Sequence, residues 1–181
     1  MRGTPSLSPA AGACVVPIQV RSAEEGDLPA ILAITNDAIV NTTAVWSLTP
    51  ATLETRRAWL EERRLKGYPV LVADDGNGAL GFASFGDFRP WEGYRHSVEN
   101  SIYIDAGHRG RGLGRLLLGA LLDEATRQGK HVMVAGIEAE NTASIHLHAG
   151  FGFEETGRLR QVGRKFDRWL DLVFMQRLLD R

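Results

Sequence analysis

The residues that most clearly suggest a binding function lie in a glycine-rich segment, Arg109-Gly-Arg-Gly-Leu-Gly-Arg115. Glycine permits positive φ and removes side chains from the path of a ligand. A strand pattern precedes this segment and an apolar helix pattern follows it. The first N–H groups of a helix point outward at the positive end of its dipole, where phosphate oxygens bind. The spacing therefore predicts a diphosphate-binding turn, with added positive charge from Arg109, Arg111 and Arg115.

Two other nucleotide-binding motifs fit this segment less well. Dinucleotide sites require G-x-G-x-x-G, whereas Gly110, Gly112 and Gly114 give G-x-G-x-G. The P-loop pattern G-x-x-x-x-G-K-[ST] does not occur in the sequence. A flexible start to a helix, with no ligand, is the structural alternative. The joint presence of strand, glycines, arginines and helix favours the phosphate site.

The elements that position this segment alternate between strand and helix patterns. Helical spacing of apolar residues predicts helices at 28–39, 52–66, 113–128 and 143–149, and Asp27 is expected to cap the first. Strand patterns occur at 18–21, 69–73, 80–88, 97–104, 131–137, 153–162 and 169–178. The turn-rich residues 74–78 predict a hairpin between the second and third strands. The pattern indicates an α/β (α+β) domain with a mixed sheet.

Composition excludes several classes of protein. The 21 Lys+Arg are balanced by 22 Asp+Glu, which argues against a broad nucleic-acid-binding surface. No apolar run approaches the roughly 20 residues that span a bilayer. Cys14 is the single cysteine, so no intrachain disulfide forms, and a cytoplasmic location is expected. Residues 1–17 lack the apolar core of an export signal, which predicts a disordered tail or expression remnant before one domain at 18–181.

Several motifs carry a resemblance to a known family. Arg109, Gly112 and Gly114 match the Q/R-x-x-G-x-G/A signature of the GNAT acetyltransferases, and Asn141-x-x-Ser144-x-x-Leu147-His148 resembles their second block. Within that superfamily, the chain is similar to phosphinothricin and methionine sulfoximine acetyltransferases from about residue 18 to residue 180. The supporting segments are Asn41-Thr-Thr-Ala-Val-Trp46, Gly67-Tyr-Pro-Val-Leu-Val72, Phe85-Gly-Asp-Phe-Arg-Pro-Trp91, Arg95-x-x-Val-Glu-x-Ser-Ile-Tyr103, Val132-Met-Val-Ala-Gly-Ile-Glu138 and Val162-Gly-x-Lys-Phe-x-Arg-Trp-Leu-Asp171.

The sequence departs from the family pattern at a few positions. Asn100 stands where the pattern has His, and Asp167 stands where it has Gly. The run Ala149-Gly-Phe151 is also unusual before Gly152. The first departure adjoins Glu99 and is expected to alter substrate contacts, whereas the others are expected to alter packing.

The resemblance implies the GNAT fold and its cosubstrate. That fold has a mixed, largely antiparallel sheet of six to seven strands, about four flanking helices, and a splay between the fourth and fifth strands. The cosubstrate is acetyl-CoA, and no metal is expected. Its pantetheine arm pairs with the free edge of the fourth strand, as an added strand would. The implied contacts are Ile102, Tyr103, Ile104, Arg109, Gly110, Arg111, Gly112, Leu113, Gly114, Arg115, Asn141 and Ser144.

The resemblance also implies catalytic roles. Glu99 is expected to take the proton of the acceptor amine as general base. Its alternative is to bind the ammonium group or to face solvent. His148 is either a general acid for the leaving thiolate or a neutral structural histidine. Because Cys14 lies in the tail, direct transfer within a ternary complex is favoured over an acetyl-enzyme.

The acceptor site is expected around the loop before the fourth strand. Arginine recognises a carboxylate through a planar pair of hydrogen bonds, which suits an amino-acid acceptor. The implied residues are Arg89, Pro90, Trp91, Arg95, Glu99, Asn100, Ser101, Thr43 and Trp46, and each has ordinary loop solvation or packing as its alternative. In contrast, Arg56, Arg57, Arg63 and Arg64 are expected to form a solvated helix face.

The functional hypothesis is N-acetylation of a small amino acid such as L-methionine sulfoximine, L-methionine sulfone or phosphinothricin. The resemblance further suggests an acceptor with a tetrahedral, oxidised side-chain head, and a homodimer. Neither nucleic acid nor membrane is expected as a partner. Two alternatives stay open: a GNAT enzyme for a protein N-terminus or another amine, and a non-catalytic acyl-CoA-binding module.

Overall fold

The computed structural model describes residues 17–179, which form one seven-stranded sheet with four α-helices. The elements are β1 Gln19–Ser22, α1 Leu28–Asn41, α2 Leu53–Leu65, β2 Val70–Asp74, β3 Ala79–Asp87, β4 Ser97–Ile104, α3 Leu113–Arg127, β5 Val132–Glu138, α4 Thr142–Ala149, β6 Glu154–Lys165 and β7 Arg168–Leu178. Their types and order confirm the sequence prediction. The predicted tail lies outside the described residues, except for Pro17. None of the helices in the described range is long and apolar enough to cross a bilayer.

The sheet contains a gap between its central strands. The strand order is β1-β2-β3-β4-β5-β7-β6, and every neighbouring pair is antiparallel except β4 and β5. Those two strands pair only where Ser97–Glu99 meets Val132–Val134. β4 continues to Ile104 against β3, while β5 continues to Glu138 against β7. The predicted splay is therefore confirmed, and it begins directly after Glu99.

Helices cover the two faces of the sheet differently. α3 buries five of its six leucines against one face, where Ala83 and Ile102 lie, and exposes Leu116. α1 and α2 pack on the opposite face, where Phe82 and Tyr103 lie. Successive side chains of a strand point to opposite faces. β4 therefore carries two sets of side chains: Glu99, Ser101 and Tyr103 on the α1/α2 face, and Asn100, Ile102 and Ile104 on the α3 face.

Two local predictions were wrong in detail. Asp27 does not cap α1: its carboxylate accepts hydrogen bonds from Arg21 at 2.7 and 2.9 Å and from the Glu24 N–H at 2.8 Å. A 3₁₀ turn at Glu25–Asp27 runs directly into the helix, and Pro29 removes one N–H that a cap would satisfy. β6 extends to Lys165 rather than ending at residue 162, because pairing with β7 resumes beyond an irregularity between Leu159 and Gly163.

Candidate active site

The glycine-rich turn joins β4 to α3 through left-handed backbone. Gly110 has φ 76° and Gly112, the N-cap of α3, has φ 81°. A Cβ at either position would meet nothing within 4 Å, so the requirement lies in the backbone conformation rather than in space. Gly114 differs, because a Cβ there would lie 3.1 Å from Leu147 of α4. Two of the glycines therefore shape the turn, and the third permits close packing of α3 against α4.

A cavity of about 620 Å³ lies beside this turn, between β4, α4 and the loop after α1. One wall is the stretch of β4 that has no β5 partner, so its backbone groups are available to an extended ligand containing amides. Ten of the predicted cofactor residues line the cavity: Ile102, Tyr103, Ile104, Arg109, Gly110, Gly112, Leu113, Gly114, Asn141 and Ser144. These residues, separate in sequence, share one cavity because the splay separates β4 from β5.

The arginines of the turn do not all face this cavity. Arg109 lines it and forms an ion pair with Asp37 at 2.9 Å. The guanidinium of Arg115 lies 5.3 Å from the centre of the Phe151 ring, which gives it a packing contact with the segment after α4. Neither Arg111 nor Arg115 is among the lining residues. Backbone N–H groups, Arg109 and Arg168 of β7, which forms an ion pair with Glu140, are therefore the positive features at the cavity wall.

Asn141 has a structural contact in addition to its place at the cavity. Its Oδ1 accepts a hydrogen bond from the Ser144 N–H at 3.2 Å and so caps α4. Asn141 and Ser144 also line a smaller chamber of about 70 Å³, which continues the large cavity into the gap between β4 and β5. The cap fixes the start of α4 next to this junction.

Glu99 lies where β4 and β5 separate. It is the last β4 residue that pairs with β5, opposite Val134. One carboxylate oxygen lies 2.9 Å from the point where a Cβ on Gly136 would be, so that glycine provides the space for it. Burial raises the pKa of the Glu99 carboxyl above its ordinary value, while the charge of Arg89 opposes the rise. A raised pKa makes this carboxylate a better proton acceptor.

His148 is buried behind the gap, with 3% of its surface exposed. Its Nδ1 lies 2.8 Å from the Ser144 carbonyl oxygen, which only an N–H can satisfy. Burial lowers the pKa of the His148 imidazole, so the ring is neutral and Nε2 has a lone pair. This arrangement favours the structural alternative for His148, because the nitrogen that faces β4 has no proton to donate.

Asn100 completes that arrangement. Its Oδ1 lies 3.2 Å from His148 Nε2, and its Nδ2 is buried without a hydrogen-bond partner in residues 17–179. Two acceptors do not hydrogen-bond to each other. Turning the amide over lets Nδ2 donate to the Nε2 lone pair of His148. The Asn100 side chain thus links β4 to α4 across the gap.

The predicted acceptor residues lie in several different parts of the structure. Arg89 stacks on Phe88 at 4.2 Å and lies close enough to Glu99 to affect its pKa, whereas Pro90, Trp91 and Arg95 are exposed on the loop before β4. Thr43 lines the large cavity and donates to Glu138 at 3.0 Å. The Trp46 ring packs on Gly163 of β6, outside that cavity. Ser101 lies on the α1/α2 face, two residues beyond Glu99.

Sequence reasoning missed two buried charged residues near the cavity. Glu138, 6% exposed, lines both the cavity and the chamber and accepts hydrogen bonds from Thr43 and from the Glu140 N–H. Lys165, 4% exposed, donates to the carbonyl oxygens of Thr42 and Val45. Lys165 thereby ties the loop after α1 to the β6–β7 hairpin. Both residues lie in segments that resemble the family, Val132–Glu138 and Val162–Asp171, but no pattern in either segment predicted their burial.

The basic residues of α2 also differ from the prediction. Arg57 is exposed and pairs with Glu25, as a solvated face implies. Arg56 and Arg63, however, are half-buried and flank Trp59, with their Nε atoms buried and without hydrogen-bond partners in the described part of the chain. They occupy the helical stripe of buried Leu60, at i−4 and i+3. That spacing relative to Leu60 could have predicted their partial burial from the sequence.

Similarity to known proteins agrees with this geometry. Residues 31–153 match the acetyltransferase (GNAT) family. The chain is 56% identical over 162 residues to an L-methionine sulfoximine/L-methionine sulfone acetyltransferase of Pseudomonas aeruginosa, covering 89% of this chain and 94% of the relative. It is 38% identical over 165 residues to a phosphinothricin N-acetyltransferase of Streptomyces coelicolor, covering 90% and 96%. A Salmonella typhimurium acetyltransferase structure with acetyl-CoA superposes with TM-score 0.89 at 51% identity, covering 91% and 95%.

Proposed function

We propose that this chain, which belongs to the GNAT acetyltransferase family, transfers the acetyl group of acetyl-CoA to the α-amine of a small amino acid. The acceptors we propose are L-methionine sulfoximine, L-methionine sulfone and phosphinothricin-like amino acids, after the names of the relatives. The observation that carries this proposal is Glu99, a carboxyl with a raised pKa at the point where β4 leaves β5.

The cavity beside the glycine turn suits acetyl-CoA. The arm of that cosubstrate contains amides, which match the backbone groups of β4 between Ile102 and Ile104 that have no β5 partner. Its diphosphate matches the N–H groups at the start of α3. Asn141 and Ser144 add polar side chains on the α4 wall. The thioester then belongs near the narrow end of the gap, towards Glu99.

The chemistry follows from that placement. Glu99 accepts a proton from the acceptor's α-ammonium group, directly or through one water, and this frees the nitrogen lone pair. The nitrogen then bonds to the thioester carbonyl carbon, the C–S bond breaks, and CoA leaves as the thiolate. The nitrogen loses its second proton and the thiolate takes one up. We assign protonation of the thiolate to solvent rather than to His148, because His148 Nε2 is already directed at Asn100.

Arg89 is the proposed partner of the acceptor carboxylate. Its charge lowers the pKa of Glu99 against the effect of burial, and in an α-amino acid the carboxylate and the amine are attached to the same carbon. A guanidinium and a carboxylate form a charge-assisted pair with defined geometry. The proposed site further includes Ser101 of β4, Thr43 and Trp46 of the loop after α1, and the exposed loop residues Pro90, Trp91 and Arg95.

A cytoplasmic homodimer is the proposed state of the protein. Several large apolar side chains of the β6–β7 hairpin are exposed, namely Leu159, Val162, Phe166 and Trp169. Contiguous exposed apolar surface commonly marks a protein interface. Sedimentation at micromolar concentration is expected to give a dimer, and a monomer would refute this part of the proposal.

A substrate panel tests the function. Acetyl-CoA consumption should be measured with L-methionine sulfone, L-methionine sulfoximine, phosphinothricin, unmodified amino acids and peptides with a free N-terminus. The proposal predicts fastest turnover with the oxidised amino acids. Peptide acetylation without amino-acid acetylation would indicate the N-terminal alternative. CoA binding without turnover of any acceptor would indicate a binding module.

A further inference from the structure

A second cavity, of about 410 Å³, lies under the loop between α1 and α2. Its floor is formed by Ser101 and Tyr103, on the same face of β4 as Glu99. Its walls combine apolar and polar side chains, among them Ile39, Val45, Pro50, Arg56 and Trp59. Ser101 and Tyr103 also line the chamber between β4 and β5, whereas the α1, α2 and loop residues of this cavity do not.

Arg56 brings an unpaired positive charge to this cavity. Its Nε is buried without a hydrogen-bond partner, and no carboxylate in residues 17–179 forms an ion pair with it. Its guanidinium stacks on Trp59 at 5.0 Å, which holds it in place. The next residue, Arg57, has Glu25 as its ion-pair partner. Since a partly buried charge without a partner is unfavourable, Arg56 is suited to bind an acceptor atom from a ligand.

Two hydroxyl groups join Arg56 at the floor of the cavity. The hydroxyls of Ser101 and Tyr103 have no hydrogen bonds within the described range. Arg56 and Tyr103 line the same cavity, and the Arg56 charge opposes the rise that burial causes in the pKa of Tyr103. The hydroxyls of Ser47 and Thr55, by contrast, already donate to backbone carbonyls. Arg56, Ser101 and Tyr103 thus bring free donor groups to a cavity with largely apolar walls.

We propose that this cavity binds the oxidised head of the acceptor's side chain, with Arg56, Ser101 and Tyr103 donating to its oxygens. This inference rests on the proposed function, and it identifies the oxidised head of the acceptor as the group for which the enzyme is selective. Residues two apart on a strand face are separated by about 7 Å. An amino acid whose amine lies at Glu99 therefore extends along β4 towards Ser101. Sulfone, sulfoximine and phosphinate heads all present oxygen acceptors, while a thioether presents only a weak one.

The test compares two acceptors that differ only in this head. Calorimetry should measure binding of L-methionine sulfone and L-methionine, in the presence of CoA, to the wild type and to Arg56→Met. We expect the Kd of the sulfone to rise about 10- to 100-fold, the loss typical of a hydrogen bond to a charged group. The Kd of L-methionine should change less than about 2-fold, because Met retains most of the apolar volume.

Two further variants make the result specific. Arg57→Met removes a neighbouring charge of the same helix that pairs with Glu25, and it should leave both Kd values unchanged. Tyr103→Phe removes one hydroxyl and should weaken the sulfone alone, by a smaller factor. Equal losses for both acceptors, or none, in Arg56→Met and Tyr103→Phe would overturn the inference. Arg56-dependent sulfone binding without acetylation would refute the proposed function and leave the head-group cavity supported.

Discussion

Replacing Glu99 with glutamine removes a basic carboxylate while preserving its size. Glutamine occupies the same space next to Gly136, so the β4–β5 junction is retained. If Glu99 is the general base, kcat with saturating acetyl-CoA and L-methionine sulfone should fall roughly 10²- to 10⁴-fold. Raising the pH should partly restore the rate, because free amine then forms in solution. Affinity for CoA should be unchanged, since that ligand is assigned to backbone groups and the glycine turn.

The same substitution has a stability consequence with a defined sign. Burial raises the pKa of Glu99 in the folded state, so folding favours the protonated carboxyl. Stability from this group is therefore complete below the unfolded pKa of about 4.3 and is lost as pH rises through the folded pKa. Glu99→Gln should accordingly raise the melting temperature at pH 7 to 8 relative to wild type, with a smaller difference at pH 4.

Steady-state kinetics and melting curves together decide the role of Glu99. Glu61→Gln, at an exposed position of α2, serves as the matched control and should change neither measurement. A wild-type kcat with a raised acceptor KM would mean that Glu99 only binds the ammonium group. A lower melting temperature in Glu99→Gln at pH 7 would refute the assignment of burial as the cause of its raised pKa.

The other predictions concern the glycine turn, the contacts of Lys165 with the loop after α1, and the buried histidine. Gly112→Val should weaken CoA binding measured by calorimetry, because a β-branched residue is strained at φ 81°; Gly26→Val, at a glycine without positive φ, should not. Lys165→Met should lower the free energy of unfolding by about 1–3 kcal/mol in denaturant unfolding, because two loop carbonyls lose their donor. It should also raise the KM for acetyl-CoA, and an unchanged KM would contradict the role of Lys165 in holding this loop. Burial lowers the pKa of His148, so its contribution to stability is present above pH 6.5 and lost as pH falls through the folded pKa. His148→Gln should therefore lose less stability than wild type between pH 7 and 5, and equal losses would argue against a buried neutral ring.

Features that depend on neighbouring residues could be predicted from the sequence. The leucine periodicity of α3 and the glycines before it are local, because helical spacing and positive φ are properties of short segments. The family motifs placed Glu99 on β4 and identified the residues around the large cavity. They also implied the splay, which composition and periodicity do not reveal.

Features that depend on distant residues required the tertiary structure. Lys165 bonds to Thr42, 123 positions away, and His148 meets Asn100 at a separation of 48. Arg56 looks like an ordinary helix-surface residue until the loop between α1 and α2 covers it, with no carboxylate of residues 17–179 paired to it. Whether a charged or polar group is solvated, paired or left free for a ligand is decided by which surfaces fold together, because burial and hydrogen bonding are relations between segments rather than properties of one.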